Sequence, residues 1–407
     1  MAPLPAAAVV TVGTELTTGL RQDTNSTEIA RALNAAGYVV HEIRSVPDDM
    51  AAIEAAVKAL LDSCDLVVVT GGLGPTHDDI TREAAARALG RSLHRDETIA
   101  VSLRAMAARH TNAEARKDML RQADVIEGAT VLPARTGSAP GQAVTVGGAT
   151  LVLLPGPPGE MRPLLEGYLA ARTPVTPPER LRCTGITESD AQRLVQPAIA
   201  PFVVDLTLLA APADVEVVLF PKDGDASDLP AATRAALRAL GDRCYSADGS
   251  SLAETIVRLA IGAGEHIVTA ESCTGGMVAS ALTDVAGSSS AFAGGVVAYA
   301  NEVKMEALGV PAGLLAQFGA VSEETARAMA EGALSLPGST ISVAVTGIAG
   351  PEGGTPDKPV GLVWFAVAHA DGRVRAISHH LPGDRAAVRR RAVIVALDAL
   401  RRDLAEG

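Results

Sequence analysis

The chain predicts an α/β protein made of separate units, and three observations lead there. From residue 7 to residue 89, short β-branched apolar runs alternate with amphipathic segments of helix length. That alternation means a parallel sheet with helices on both faces. The stretch T-P-V-T-P-P at 173–178 then breaks the pattern as a stiff, extended linker. At 407 residues the chain is long enough for two or three domains, each with a sizeable core.

The first unit is expected over 1–172. A strand at 7–12 runs into Gly13-Thr14-Glu15-Leu16, and Asp23-Thr24-Asn25-Ser26 opens a helix carrying Ile29 and Leu33 at i, i+4. Gly37 sits where a left-handed residue ends a helix. After a strand at 38–43, Asp48 or Asp49 caps a helix with Ile53, Val57, Leu60 and Leu61 on one face. The strand at 65–70 feeds the loop G-G-L-G-P-T-H-D-D at 71–79, and 80–89 is helical. Ligand loops of such sheets lie at the carboxyl ends of the strands. Glycines at 71–74 let backbone amides approach a phosphate, and Asp78 and Asp79 are adjacent hard oxygen ligands suited to Mg²⁺ or a similar divalent ion. Asp79 is equally read as an acidic residue at a helix N-terminus. L-P-G-P-P-G-E-M at 154–161 also reads as a rigid loop before a helix.

A small α+β module is expected over 179–247, with strands at 180–184 and 215–220 and helices at 191–198 and 230–240. The polar turn 222–228 reads as a hairpin or loop tip, and no catalytic constellation stands out.

The third unit, 248–407, opens on a capping box, Ser251-Leu252-Ala253-Glu254, with Ile256, Leu259 and Ala260 apolar behind it. A strand at 266–270 and a helix at 277–282 place Ser272-Cys273-Thr274-Gly275-Gly276 on a strand-to-helix turn. Such a turn exposes a hydroxyl beside unpaired helix amides, which can hold a phosphate or a developing oxyanion. Ser272 or Thr274 can also be a plain N-cap. Tyr299 and Lys304 follow the buried-looking run 292–300, and a desolvated lysine can lose its proton and act as general base to a serine. A helix at 321–334 starts from a Ser322 cap, and a strand at 341–345 delivers Thr346-Gly347. A strand at 360–368 carries Trp364, and 386–404 is a long terminal helix. Arg389–391 read as a solvated face. Arg385, after Pro382-Gly383-Asp384, stands at a helix start where a phosphate meets guanidinium and amides.

Composition excludes several classes. With 35 basic and 47 acidic residues the net charge is −12, which disfavours nucleic acid as a partner. With 2% aromatic residues, stacking platforms for single strands are hard to assemble. No signal peptide is expected from 1–10, and no apolar run is long enough to span a membrane. The cysteines Cys64, Cys183, Cys244 and Cys273 form no C-x-x-C pair, which argues against a zinc site or disulfide framework and fits a reducing cytoplasm. Cys273, beside Ser272, reads as a nucleophile or as a small buried filler, the commoner role.

Five motifs of the third unit carry a resemblance: A-E-S-C-T-G-G at 270–276, Y-x-N-x-x-K at 299–304, T-G-I-A-G-P at 346–351, G-T-x-x-K-P-V-G at 354–361 and P-G-D-R at 382–385. Together they resemble the nicotinamide-nucleotide amidase domain of the CinA family. The first unit is similar to the molybdopterin-binding-like domain of the same family, through the loop 71–79, L-P-G-P-P-G-E-M, G-T-E at 13–15, D-T-N at 23–25 and G-S-A-P-G at 137–141. The resemblance implies deamidation of nicotinamide mononucleotide without a metal: Ser272 as nucleophile, Lys304 as base and Tyr299 orienting the lysine or relaying its proton. Amides of Thr274, Gly275 and Gly276 are candidate oxyanion donors, with Asn301, Thr346, Gly347 and Arg385 around the substrate. In the first unit it implies a metal-assisted ADP-ribose pyrophosphatase using Glu15, Asn25, Gly72, Gly156, Pro157 and, at the ion, Asp78 and Asp79. Ala134 and Ser138 depart from the family's pattern there. The resemblance further implies a homodimer, the module at 179–247 being a spacer or dimerisation element. The competing readings are a first unit that only binds a pterin or nucleotide, and a non-enzymatic competence or recombination partner.

Overall fold

The computed structural model describes residues 4–108, 113–172, 174–222 and 224–406. It divides into two compact units, Met1–Pro177 and Pro178–Gly407, so one division falls at the Pro-rich linker. The expected boundary at 248 runs inside the second unit. Thr173 of the linker and Asp223 of the polar turn lie outside the described residues.

The strands of the first unit are β1 (Ala6–Val12), β2 (Val39–Val46), β3 (Leu66–Thr70), β4 (Leu93–Arg95), β5 (Asp124–Ile126), β6 (Thr130–Leu132), β7 (Gly141–Val146) and β8 (Ala149–Leu154). Six of them form one sheet in the order β2-β1-β3-β8-β7-β6. The first four run parallel, while β7 and β6 extend the sheet antiparallel. The reversal comes from Gly147 and Gly148, both at positive φ, which make a two-residue hairpin turn between β7 and β8. β3 is buried along its whole length because helices cover both faces. Helices Met50–Leu61 and Thr81–Ala88 pack on one face. Helices Asn25–Ala35 and Pro158–Leu169 pack on the other. Asp49 caps the helix Met50–Leu61 by accepting from the Ala52 amide, while Asp48 binds back to Thr14.

In the second unit, β9 (Glu179–Thr184), β10 (Val204–Ala211), β11 (Asp214–Pro221) and β12 (Cys244–Ser246) form an antiparallel sheet in the order β10-β11-β9-β12. Helices Glu188–Ile199 and Leu229–Leu240 cover one face of it. β10 has no counterpart in the sequence reading.

A five-stranded sheet follows, of β13 (Ile267–Glu271), β14 (Phe292–Val297), β15 (Ile341–Gly347), β16 (Leu362–His369) and β17 (Val374–His380), in the order β14-β13-β15-β16-β17. β14, β13 and β15 are parallel, so their carboxyl ends share one edge. Helices Leu252–Ala263 and Arg385–Glu406 bury one face. Helices Asn301–Leu308 and Glu323–Ala333 bury the other. Fully buried Ile256, Val343, Val345 and Phe365 each contribute about 1.5–3 kcal/mol to holding that edge rigid. Among the described residues no helix is long and apolar enough to cross a membrane.

Candidate functional site

The shared edge of β14, β13 and β15 determines what meets in space. β13 ends at Glu271, so Ser272 is the first residue beyond the sheet; β14 delivers Ala298 and Tyr299, and β15 ends on Thr346 and Gly347. Lys304 lies one turn into the helix Asn301–Leu308 and is 1% exposed. Its Nζ is 3.2 Å from Ser272 Oγ, 2.7 Å from the Ala298 carbonyl oxygen and 3.1 Å from that of Tyr299. Desolvation holds this amine below the usual lysine value of 10.5, outweighing the opposing influence of Cys273 and Glu302. A neutral amine carries two N–H donors and one lone pair. The two carbonyls accept from Nζ, which also lies within hydrogen-bond distance of the Ser272 hydroxyl.

Ser272, Lys304, Tyr299, Thr346, Gly347 and Arg385 line one cavity of about 260 Å³ together with Glu352. Tyr299 meets the amine through its main-chain carbonyl. Its exposed hydroxyl instead accepts from Arg385 Nη2 at 2.9 Å, while Arg385 Nη1 donates to the Gly350 carbonyl at 2.9 Å. The Thr346 hydroxyl donates to the Ala320 carbonyl and is fully buried. Asn301 is exposed at the first position of its helix and is not among the residues lining the cavity. Cys273 is buried, which pushes its thiol up to about 11 and disfavours the reactive thiolate.

The turn is built differently from the sequence reading. The Gly275 amide donates to the Ser272 carbonyl, and the Gly276 amide donates to Glu271 Oε2 at 3.0 Å. The same buried carboxylate accepts from the amides of Val278 and Ala279, satisfying the start of the helix Met277–Thr283. Gly275 and Gly276 are therefore not free oxyanion donors. Thr274 keeps, among the described residues, an unpartnered amide, and its hydroxyl is buried away from the cavity. Arg389, expected on a solvated face, reaches back to the turn. Its Nε donates to the Cys273 carbonyl at 3.0 Å and its Nη2 to that of Thr274 at 2.9 Å.

In the first unit, β1, β3 and β8 also end at one edge, bringing together the loops that follow Val12, Thr70 and Leu154. Asn25 Nδ2 donates to the Gly156 carbonyl at 2.7 Å and lies 3.5 Å from Thr70 Oγ1, so it ties two of those loops. Pro157 precedes the helix Pro158–Leu169 as its N-cap, and the Glu15 carboxylate folds back against Gly13. Gly72 has φ +65° and sits where a Cβ would come within 2.2 Å of Thr81 Oγ1. The helix Thr81–Ala88 is preceded by Ile80 rather than capped by Asp79. Asp79 accepts instead from the Thr76 amide at 2.8 Å, and both Asp78 and Asp79 have an oxygen 2.5 Å from the Thr76 hydroxyl. That hydroxyl holds the exposed Asp78 carboxyl below its ordinary range. Among the described residues no three His, Cys, Asp or Glu side chains converge to hold an ion. Two carboxylates suit an ion of the Mg²⁺ type that takes its other ligands from water and substrate phosphates, not a closed protein cage.

A CinA-like protein of Mycobacterium sp. (strain MCS) is 42% identical over 98% of this chain and 99% of its own length. The chain belongs to the CinA family. A CinA-like protein of Thermotoga maritima is 37% identical over 98% of both chains. The CinA C-terminal domain matches residues 249–404, and the probable molybdopterin binding domain matches 8–174. Among solved structures, the competence/damage inducible protein CihA of Agrobacterium tumefaciens is 42% identical, covering 38% of this chain and 97% of its own, with a TM-score of 0.36.

Four residues that shape these two loop clusters escaped the sequence reading. Glu271 and Arg389 hold the serine turn. Arg82, 1% exposed, donates to the carbonyls of Leu73 and Gly74, and Arg121 donates to those of Thr76 and Asp79. The glutamate stands in the same motif as the serine, but a charged residue at the end of an apolar strand reads as solvent-facing until the helix above it is placed. Nothing local marks an arginine whose partners are carbonyls 115 or 42 positions away.

Proposed function

We propose that the second unit hydrolyses the carboxamide of nicotinamide mononucleotide to nicotinate mononucleotide and ammonia. The observation that carries this reading is the buried Lys304 amine 3.2 Å from Ser272 Oγ, with its N–H groups taken by two carbonyls. The family resemblance supplies the substrate. Ser272 Oγ attacks the amide carbon as its proton passes to Lys304 Nζ. The tetrahedral intermediate collapses, Lys304 returns the proton, and ammonia leaves an acyl-serine. Water then attacks that ester with Lys304 again as base, releasing the carboxylate and restoring the hydroxyl. The Thr274 amide is the remaining candidate for the oxyanion among the three first considered. Arg385 offers the cavity a positive charge for a substrate phosphate. Purified protein should release ammonia from nicotinamide mononucleotide, and Ser272→Ala should not; equal release by both would remove the reading.

The first unit is proposed to cleave ADP-ribose to AMP and ribose 5-phosphate. The adjacent Asp78 and Asp79 carboxylates support it, since they would hold a divalent ion shared with the pyrophosphate. When bound, such an ion neutralises charge on phosphoryl oxygens. Arg82 and Arg121 tie down the loop's carbonyls, and Asn25 holds the opposing Gly156 loop. Phosphate-ester products formed only with added Mg²⁺, and lost in chelator, are the expected result.

A further inference from the structure

Two of the four cysteines meet in the second unit. Cys183 on β9 and Cys244 on β12 are direct partners in an antiparallel ladder. Opposed residues of such a ladder have Cα atoms about 4.5–5.5 Å apart and side chains on the same face. That separation lies within the ~4.4–6.8 Å that a disulfide spans. Both are free thiols. Cys183 is fully buried, while Cys244 is partly exposed and its Sγ donates to the Ser246 carbonyl at 3.2 Å. Their chain neighbours Thr184 and Arg243 line a cleft of about 1030 Å³.

We propose that Cys183 and Cys244 form an oxidisable dithiol that a hydroperoxide converts into a cross-strand disulfide. Cys244 is the attacking sulfur, because it is the more exposed one. Cys183 beside it and the charge of Arg401 nearby hold the Cys244 thiol below its ordinary value, whereas Cys244 beside it and burial push the Cys183 thiol up. The Cys244 thiolate breaks the O–O bond of hydrogen peroxide, giving a sulfenic acid and hydroxide. Cys183 then attacks that sulfur, and the S–S bond forms as the sulfenic oxygen leaves as water. In sum, two thiols and one peroxide give one disulfide and two waters. Cys64 and Cys273 are both buried with no thiol partner among the described residues, so they are spared.

The position gives the bond a structural effect. β9 begins the four-stranded module and β12 ends it, and β12 is an edge strand held by a short ladder with a bulge. A bond between them closes the whole module as one loop. The cross-link restricts the unfolded chain and pins the strand that leads into the helix Leu252–Ala263.

The test uses the full-length reduced protein in native buffer, treated with hydrogen peroxide, alkylated, digested and mapped by mass spectrometry. A linked peptide pair containing Cys183 and Cys244, lighter by two hydrogens, reversed by dithiothreitol, with Cys64 and Cys273 still alkylatable, is expected. The oxidised protein should melt a few degrees higher than the reduced one. In Cys183→Ser, Cys244 should stop at a dimedone-reactive sulfenic acid. Oxidation of Cys244 to the sulfinic acid with Cys183 still a free thiol, or linkage only in denaturant, would overturn the proposal. So would two unreacted thiols under peroxide. The wild-type map decides the matter even where the serine variant fails to fold.

Discussion

The proposed pairing of Ser272 with Lys304 requires a lysine that is not an ordinary one. In water an ammonium has three donors and no acceptor, and it would repel the serine's proton. Burial removes the water that favours the charged form, and the carbonyls of Ala298 and Tyr299 satisfy the two N–H groups that a neutral amine keeps. On the proposed mechanism the base works when deprotonated, so the proposed deamidase activity should rise with pH through the lysine's lowered pKa and level off above it. A pH profile of kcat/KM whose acid limb lies below the ordinary lysine value of 10.5 checks this. A profile unmoved in Lys304→Met would count against it, since that change should cost at least about 10²-fold in rate. Ser272→Ala should reduce turnover by about 10³-fold or more while leaving circular dichroism unchanged. At the other site, Asp79→Asn keeps an oxygen to accept from the Thr76 amide but loses charge. Pyrophosphatase activity in Mg²⁺ should fall at least tenfold with deamidation untouched, measured as AMP release beside ammonia release in the same preparation.

At the scale of the element, the serine turn depends on groups supplied from both sides. A strand-to-helix turn exposes the helix's first amides, and Glu271 takes three of them inside the protein. A buried carboxylate there is stabilised by the helix N-terminus as well as by its hydrogen bonds. Glu271→Gln replaces one acceptor oxygen with a donor facing N–H groups, which should destabilise the protein by about 1–3 kcal/mol. A denaturant midpoint unchanged from wild type would show the carboxylate to be dispensable. The terminal helix Arg385–Glu406 supplies the other support, Arg389, on carbonyls of Cys273 and Thr274. Close backbone contact also sets the helix layer. A Cβ on Gly332 would lie 1.8 Å from the Leu308 carbonyl oxygen, where backbone must move. Gly332→Ala should therefore cost at least about 1–3 kcal/mol, read as a lowered melting temperature, because it separates the helix that carries Lys304 from its neighbour.

At the scale of the whole molecule, the two sites stand on two compact units joined at a Pro-rich segment. Each uses the same device, parallel strands whose carboxyl ends share an edge, so that loops distant in sequence converge. The second unit is more entangled than its capping box at Ser251 suggests. Tyr245, from β12, belongs to the same apolar core as Leu252 and Ile256, and Arg401 of the terminal helix donates to the Asp242 carbonyl. A fragment starting at Asp248 loses both contacts yet keeps every residue that lines the Ser272 cavity. It should fold and release ammonia with a lower melting temperature than the full chain. An insoluble or inactive fragment would show that the site depends on the four-stranded module.

Much of this was legible in the chain itself. Ile29 and Leu33, or Ile53, Val57 and Leu60, are spaced so that one helical face is apolar, and those residues are buried for that reason. Ser272 and Lys304 were legible from their motifs, and the α/β class from the alternation of strand and helix. Local patterning determines such things because period and capping are properties of neighbouring residues. It does not determine which distant groups meet. That Glu271 binds three amides, that Arg389 grips the serine turn, and that the Tyr299 hydroxyl faces Arg385 while its carbonyl faces Lys304 are decided by strand order and helix docking. The same holds for the cysteines. Sixty-one positions apart and without a spacing motif, Cys183 and Cys244 read as isolated thiols. Only the pairing of β9 with β12 places one opposite the other, since strand register is set by the burial of whole faces and not by the two residues themselves.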